Sequence, residues 1–140
     1  YGTDFLPADL FDRAHVLKWL ILEQTDVMPG IGGLRFRLLT GRWTPEQPEA
    51  KQRRELGLAA LAMLDSHLTE RTFLVAERYT IADISNYAYT HTAPDADFDL
   101  ERFPAVSAWL RRVEEQPRFM NDLQPYPANA APGAGSSMYD

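Results

Sequence analysis

No cysteine occurs in the 140 residues. Disulfide scaffolding, a thiolate nucleophile and thiolate-held metals are therefore excluded, and the absence fits a reducing compartment. Histidine is scarce too. His15, His67 and His91 are far apart and lack metal-ligand spacing, so no metal site is expected. His67, near the end of an expected helix, reads as a complement to the helix dipole. No apolar run approaches the roughly 20 residues that span a bilayer, and no signal peptide is visible, so no membrane contact is expected. Surplus positive charge is missing as well: the formal net charge is −6. Nucleic-acid binders need a basic footprint to displace counterions, which argues against that class. Arg35, Arg37, Arg42, Lys51, Arg53 and Arg54 form a local basic group, read as solvated or paired with acids. Period-two alternation, internal repeats and a serine nucleophile elbow are all absent. Gly30-Ile31-Gly32-Gly33 follows no strand, so it is not a phosphate loop. The chain begins at Tyr1, not Met, and its opening reads like the middle of a protein, which suggests a fragment.

What remains is a helical pattern. Apolar residues make up 45% and charged residues 24%, an ordinary globular balance for one domain. Asp9 is a natural N-cap for a helix from about Leu10 to Thr40, with Gly41 as its stop. Pro29 removes a backbone donor and clashes with the carbonyl four residues back, so a kink or break is expected there. A second helix is expected from about Pro48 to Leu68 and a third from Ile81 to about His91. The last opens at Pro104 and ends near Gln116-Pro117, with one short helical turn over Arg118 to Leu123. From Pro125 to Asp140 the chain is mostly Pro, Ala, Gly and Ser and reads as a flexible tail. The expected fold is all-α, a bundle of four or five helices over residues 1–124.

The sharpest motif is Thr80-Ile81-Ala82-Asp83. The Thr80 hydroxyl can accept a hydrogen bond from the Asp83 N–H while the Asp83 carboxylate reaches back to the Thr80 N–H. That helix is apolar on nearly every side and so belongs in the interior, where free N-terminal donors are costly. Asp83 reads as structural, with its loss expected to cost on the order of 1–2 kcal/mol.

Phe73-Leu74-Val75 followed by Tyr79-Thr80-Ile81-Ala82-Asp83-Ile84 resembles the capping segment of the C-terminal domain of glutathione transferases of the bacterial type. Phe5-Leu6-Pro7-Ala8-Asp9 with Arg13-Ala14 is similar to the entry of that domain. Phe103-Pro104-Ala105-Val106 with Ala108-Trp109-Leu110, Val113 and Pro117 is similar to its later helix. At Ala76-Glu77 the chain departs from the family, which usually has Gly followed by a polar residue. The resemblance implies a cytoplasmic, detoxifying homodimer that conjugates or reduces small electrophiles with glutathione. It implies no cofactor in this chain beyond glutathione as co-substrate of the parent protein. It also implies a partner, the thioredoxin-like N-terminal domain that binds glutathione and activates its thiol, and this sequence contains no such domain. No catalytic residue is therefore expected here.

The half-site implied for this chain lies along the first long helix. Glu23, Gln24 and Asp26 are placed where an acid could meet the glutathione ammonium. Met28, Ile31 and Arg35, with Leu34 and Phe36, are placed to line the apolar co-substrate pocket, and an unbranched Met suits such a pocket. From Val16 to Leu22 every residue but Lys18 is apolar, more than one core-facing stripe requires. The face around Trp19, Leu20, Glu23, Gln24 and Asp26 is accordingly expected to be an interface. A non-catalytic association module of the same fold, and a plain structural four-helix domain, remain alternative readings.

Overall fold

The computed structural model describes residues 5–121 and 123–133. Asp9 caps α1 (Leu10–Leu22), its carboxylate accepting from the Phe11 and Asp12 N–H groups at 2.9 and 3.0 Å. The helix continues without a break into a π-helical segment, Glu23–Gly32, and then into α2 (Gly33–Leu39). The helical run is not broken at Pro29. The Gly33 N–H bonds to the carbonyl of Met28, five residues back, and this wider winding gives the Pro29 ring room that an α-turn denies it. α2 then stops at Gly41, whose φ of 72° places it in the left-handed region. The Gly41 N–H bonds to Leu38 O and the Arg42 N–H to Arg37 O, which turns the chain back over the helix end.

α3 (Pro48–Leu68), α4 (Ile81–Thr90) and α5 (Pro104–Glu114) complete four helical runs, with no named strand among the described residues. The all-α bundle expected from the sequence is the observed fold. The core lies between the π segment, α3, α4 and α5, and its largest enclosed side chains include Trp19, Ile31, Leu34, Leu61, Leu64 and Trp109. Phe103, just before α5, offers no side-chain cap. Asp65 of α3 supplies one from a distance, accepting from the Ala105 and Val106 N–H groups at 2.8 and 3.0 Å. The helical turn expected over Arg118 to Leu123 is not seen in its described residues, and Arg118 adopts a positive φ of 65°.

Burial also corrects the reading of His67. Its ring packs on Trp19 at 4.6 Å between centroids, and Nε2 lies 2.9 Å from Leu74 O. Burial lowers its pKa from 6.5, and the charges of Arg71 and Lys18 push the same way against the Leu74 carbonyl. A neutral ring that donates to Leu74 does not complement a dipole. Because the folded pKa lies below the unfolded one, His67 stabilises the fold above about pH 6.5 and the contribution is lost as pH falls through the folded value. Asp83 has the opposite sign, since burial raises its pKa and its contribution is greatest at low pH. Urea midpoints taken between pH 7.5 and pH 5 are therefore expected to fall more steeply in the wild type than in His67→Gln. Parallel slopes would contradict this assignment.

Candidate functional site

The π segment and α2 carry all six side chains expected to form a site, and of these only Glu23 and Gln24 are joined by a hydrogen bond. Glu23 faces inward at 3% exposure. Its Oε2 accepts from Gln24 Nε2 at 2.7 Å and from Ser85 Oγ of α4 at 3.1 Å. Glu23 Oε1 has no donor among the described residues. Tyr89, one turn along α4 from Ser85, is held above its ordinary pKa, first by burial and then by the Glu23 charge. Gln24 is exposed, Asp26 is half-buried and accepts from Thr25 Oγ1, and Met28 is half-buried. Ile31 is fully enclosed and contributes to the core rather than to a cleft. The reason is Gly30, whose backbone meets that of Gly57 on α3 and draws this side of the helix inward.

Arg35 is the expected site residue that lines an open cavity. The cavity measures about 450 Å³ and is bounded by Arg35, Leu39, Asp95 and Leu123 to Tyr126. Arg35 Nε donates to Asp95 Oδ2 at 2.8 Å, and Nη1 donates to the Tyr126 hydroxyl at 3.0 Å. The Tyr126 ring lies under the same guanidinium and edge-on to Phe36. Further on, Arg42 donates from Nε and Nη2 to the carbonyl of Ala130, which is buried. Within the stretch read as a flexible tail, Tyr126 thus touches α2 and Ala130 the turn after it, while 125–129 and 132–133 are exposed; residues 134–140 are outside the described part. Tyr126, Asp95, Ser85 and Tyr89 escaped sequence reading, because their link to the first helical run is purely tertiary. A tyrosine at the start of an otherwise Pro- and Ala-rich stretch was the available signal for Tyr126.

The surface left uncovered on α1 also differs from expectation. Trp19 and Glu23 are buried, so the face centred on them is internal. The exposed apolar stripe runs instead through Leu10, Ala14, Leu17 and Ile21, at helical spacing of three to four. No helix is long and apolar enough to cross a membrane, and no metal-binding group of His, Asp and Glu occurs among the described residues.

Residues 13–117 match the family model for the glutathione S-transferase C-terminal domain. The chain belongs to that family. Glutathione S-transferase stcT of Emericella nidulans is 34% identical over 109 residues, which is 76% of this chain and 50% of that protein. Elongation factor 1-gamma of Danio rerio is 31% identical over 115 residues, covering 79% of this chain and 25% of that protein. The crystal structure of a possible glutathione S-transferase from Rhodopseudomonas palustris superposes with a TM-score of 0.77 at 40% identity, covering 91% of this chain and 59% of that one. The chain therefore spans about half the length of the first of these relatives and less of the second. For a glutathione transferase C-terminal domain the Ala76-Glu77 departure now has a location: both residues sit at positive φ, 55° and 49°, in the turn closed by Arg78 N–H to Val75 O. Glycine adopts that conformation without strain, whereas Ala76 does not.

Proposed function

We propose that this domain supplies the co-substrate half of a glutathione transferase, in a protein where a thioredoxin-like domain binds glutathione and activates its thiol. The observation that carries the reading is the cavity at Arg35, placed on the family's first long helix and bordered by Tyr126, Asp95 and Leu39. Its walls combine apolar surface with one buried guanidinium, which suits binding and orienting a polarised electrophile rather than reacting with it. Rate acceleration would come from the lowered thiol pKa in the other domain. Gln24 and Asp26 would face that domain's ligand, whereas the buried Glu23 carboxylate would tie the first helical run to Ser85 of α4. The exposed stripe Leu10, Ala14, Leu17 and Ile21 would be covered by the other domain or by a second subunit. Detoxification in the cytoplasm belongs to the same reading.

A non-catalytic association module is the second reading, favoured by the 31% identity to elongation factor 1-gamma. One experiment separates the two. Conjugation of glutathione to an aryl halide is followed for the chain alone and for the chain joined to its thioredoxin-like domain. The chain alone is expected to match a protein-free control, and the two-domain protein to turn over. In the latter, Arg35→Gln is expected to raise KM for the halide severalfold and leave KM for glutathione unchanged. Turnover by the chain alone, or an unaltered halide KM, would remove the half-site assignment. A two-domain protein without turnover would favour the association module.

A further inference from the structure

The lining of the Arg35 cavity holds one positive and one negative side chain, Arg35 and Asp95. Arg35 is buried, and its Nε donates to Asp95 Oδ2 at 2.8 Å. The short turn Ala93–Ala96, packed on α2, sets Asp95 in place. The Asp95 side chain is half-exposed, and among the described residues only its Oδ2 accepts a hydrogen bond. The other carboxylate oxygen is left open at the cavity wall. On the opposite side of the guanidinium, Nη1 donates to the Tyr126 hydroxyl at 3.0 Å. That oxygen is the acceptor of the pair, so the Tyr126 proton is left to donate, and it meets no acceptor among the described residues. Arg35 Nη2 is likewise without an acceptor there. The Tyr126 ring is held edge-on to Phe36 at 5.1 Å between centroids, which fixes where its hydroxyl stands.

We propose that Asp95 and Tyr126 set the specificity of this cavity, so that it takes neutral co-substrates bearing a ketone or aldehyde oxygen and turns away carboxylates. The inference rests on the co-substrate reading given above and names the ligand class. A carbonyl oxygen has no net charge and can accept from the Tyr126 hydroxyl and from Arg35 Nη2. The hydroxyl is the better donor for having accepted from a cation. A carboxylate of the same outline finds the guanidinium already neutralised and meets the open Asp95 oxygen as a like charge. It gives up its hydration with little in return. Selectivity of this kind comes from the repulsive element as much as from the attractive one. A plain hydrocarbon escapes the repulsion but leaves both donors unused. Leu39, Leu123 and Pro125 supply the apolar wall for the rest of the ligand.

The test is a backbone-amide NMR titration of the 140-residue chain with trans-4-phenylbut-3-en-2-one and with trans-cinnamate, in which an oxygen anion replaces the ketone's methyl group. The chain has no cysteine to consume the enone. The ketone is expected to shift the amides of Arg35, Leu39 and Tyr126 saturably, and cinnamate to bind about tenfold more weakly or worse. Tyr126→Phe is expected to weaken the ketone about threefold to tenfold, the range of one net hydrogen bond. Asp95→Asn decides the specificity. Its side-chain oxygen can still accept from Arg35 Nε, so cinnamate is expected to gain about tenfold while the ketone changes little. A residue that only held the fold together would not gain a ligand on substitution. Cinnamate binding as tightly as the ketone, with both weakened by Arg35→Gln, would overturn the specificity and leave the co-substrate cavity standing. If neither probe shifts these amides at millimolar concentration, the specificity and the co-substrate reading fall together. An Asp95→Asn variant with a native amide spectrum and an unaltered cinnamate affinity would also overturn the proposal.

Discussion

Asp83→Ala is expected to lose about 3–5 kcal/mol of folding stability, well beyond the roughly 1–2 kcal/mol of an ordinary lost cap. The difference lies in how many donors the carboxylate serves. Oδ2 accepts from the Thr80 N–H at 2.9 Å and the Thr80 hydroxyl at 3.0 Å. Oδ1 accepts from the Leu74 N–H at 2.9 Å and from Trp109 Nε1 at 3.0 Å. One side chain thus joins the start of α4, the 70s loop and α5, and it does so fully buried. Alanine leaves four donors without acceptors, and each buried orphan costs about 1–3 kcal/mol before relaxation. Asparagine is nearly as harmful, because its amide nitrogen must face two donors whichever way it points. Urea midpoints and slopes measure the effect. Total stabilities of domains this size run to about 5–15 kcal/mol, so the alanine variant is expected to be partly unfolded at room temperature. Trp109→Phe removes a single donor, should cost less, and should be non-additive with Asp83→Asn. A wild-type midpoint for Asp83→Ala, or simple additivity of the pair, would contradict this account.

The cap itself was readable from Thr80 and Asp83, because a capping box is a local motif with fixed spacing. Asp9, the Gly41 stop and the α5 start at Pro104 were readable for the same reason. The two further donors to Asp83 were not, since Leu74 and Trp109 reach it only after the bundle closes. The same division runs through the candidate site. Composition showed that α1 is too apolar for one stripe, but not which residues would be left outside. Packing put Val16, Trp19 and Glu23 inward and left Leu10, Leu17 and Ile21 out. Pro29 predicted a break, yet the proline rule counts only a lost donor and a clash. It does not register that a π winding accommodates both. Tyr126 lies 91 residues from Arg35, and nothing local announces such a contact.

The glycines of the first helical run offer the clearest case of tertiary structure overriding local preference. Replacing glycine by alanine inside a helix ordinarily stabilises it by about 1 kcal/mol. Gly33→Ala is expected to follow that rule, because its new methyl group would meet only the flexible end of Arg37 at 3.3 Å and the Met28 carbonyl at 3.4 Å. Gly30→Ala is expected to reverse it. The added Cβ would stand 2.6 Å from Gly57 N and 2.9 Å from Gly57 Cα, so the obstruction is backbone and cannot swing away. Gly57 is pinned in turn, since a Cβ there would sit 2.9 Å from Gly30 O and 2.6 Å from the Phe98 ring. Relief requires the π segment and α3 to separate, which loosens Val27, Ile31 and Leu34 from the fully buried Leu61 and Leu64 of the same core. Overpacking of this kind costs about 1–3 kcal/mol, and loss of core contact adds to it. A net loss of about 2–3 kcal/mol is therefore expected for Gly30→Ala against a small gain for Gly33→Ala, three positions away. Thermal and urea midpoints of the two variants decide the matter. If both rise together, the close crossing at Gly30 and Gly57 does not set the spacing of these helices, and the burial of Ile31 needs another cause.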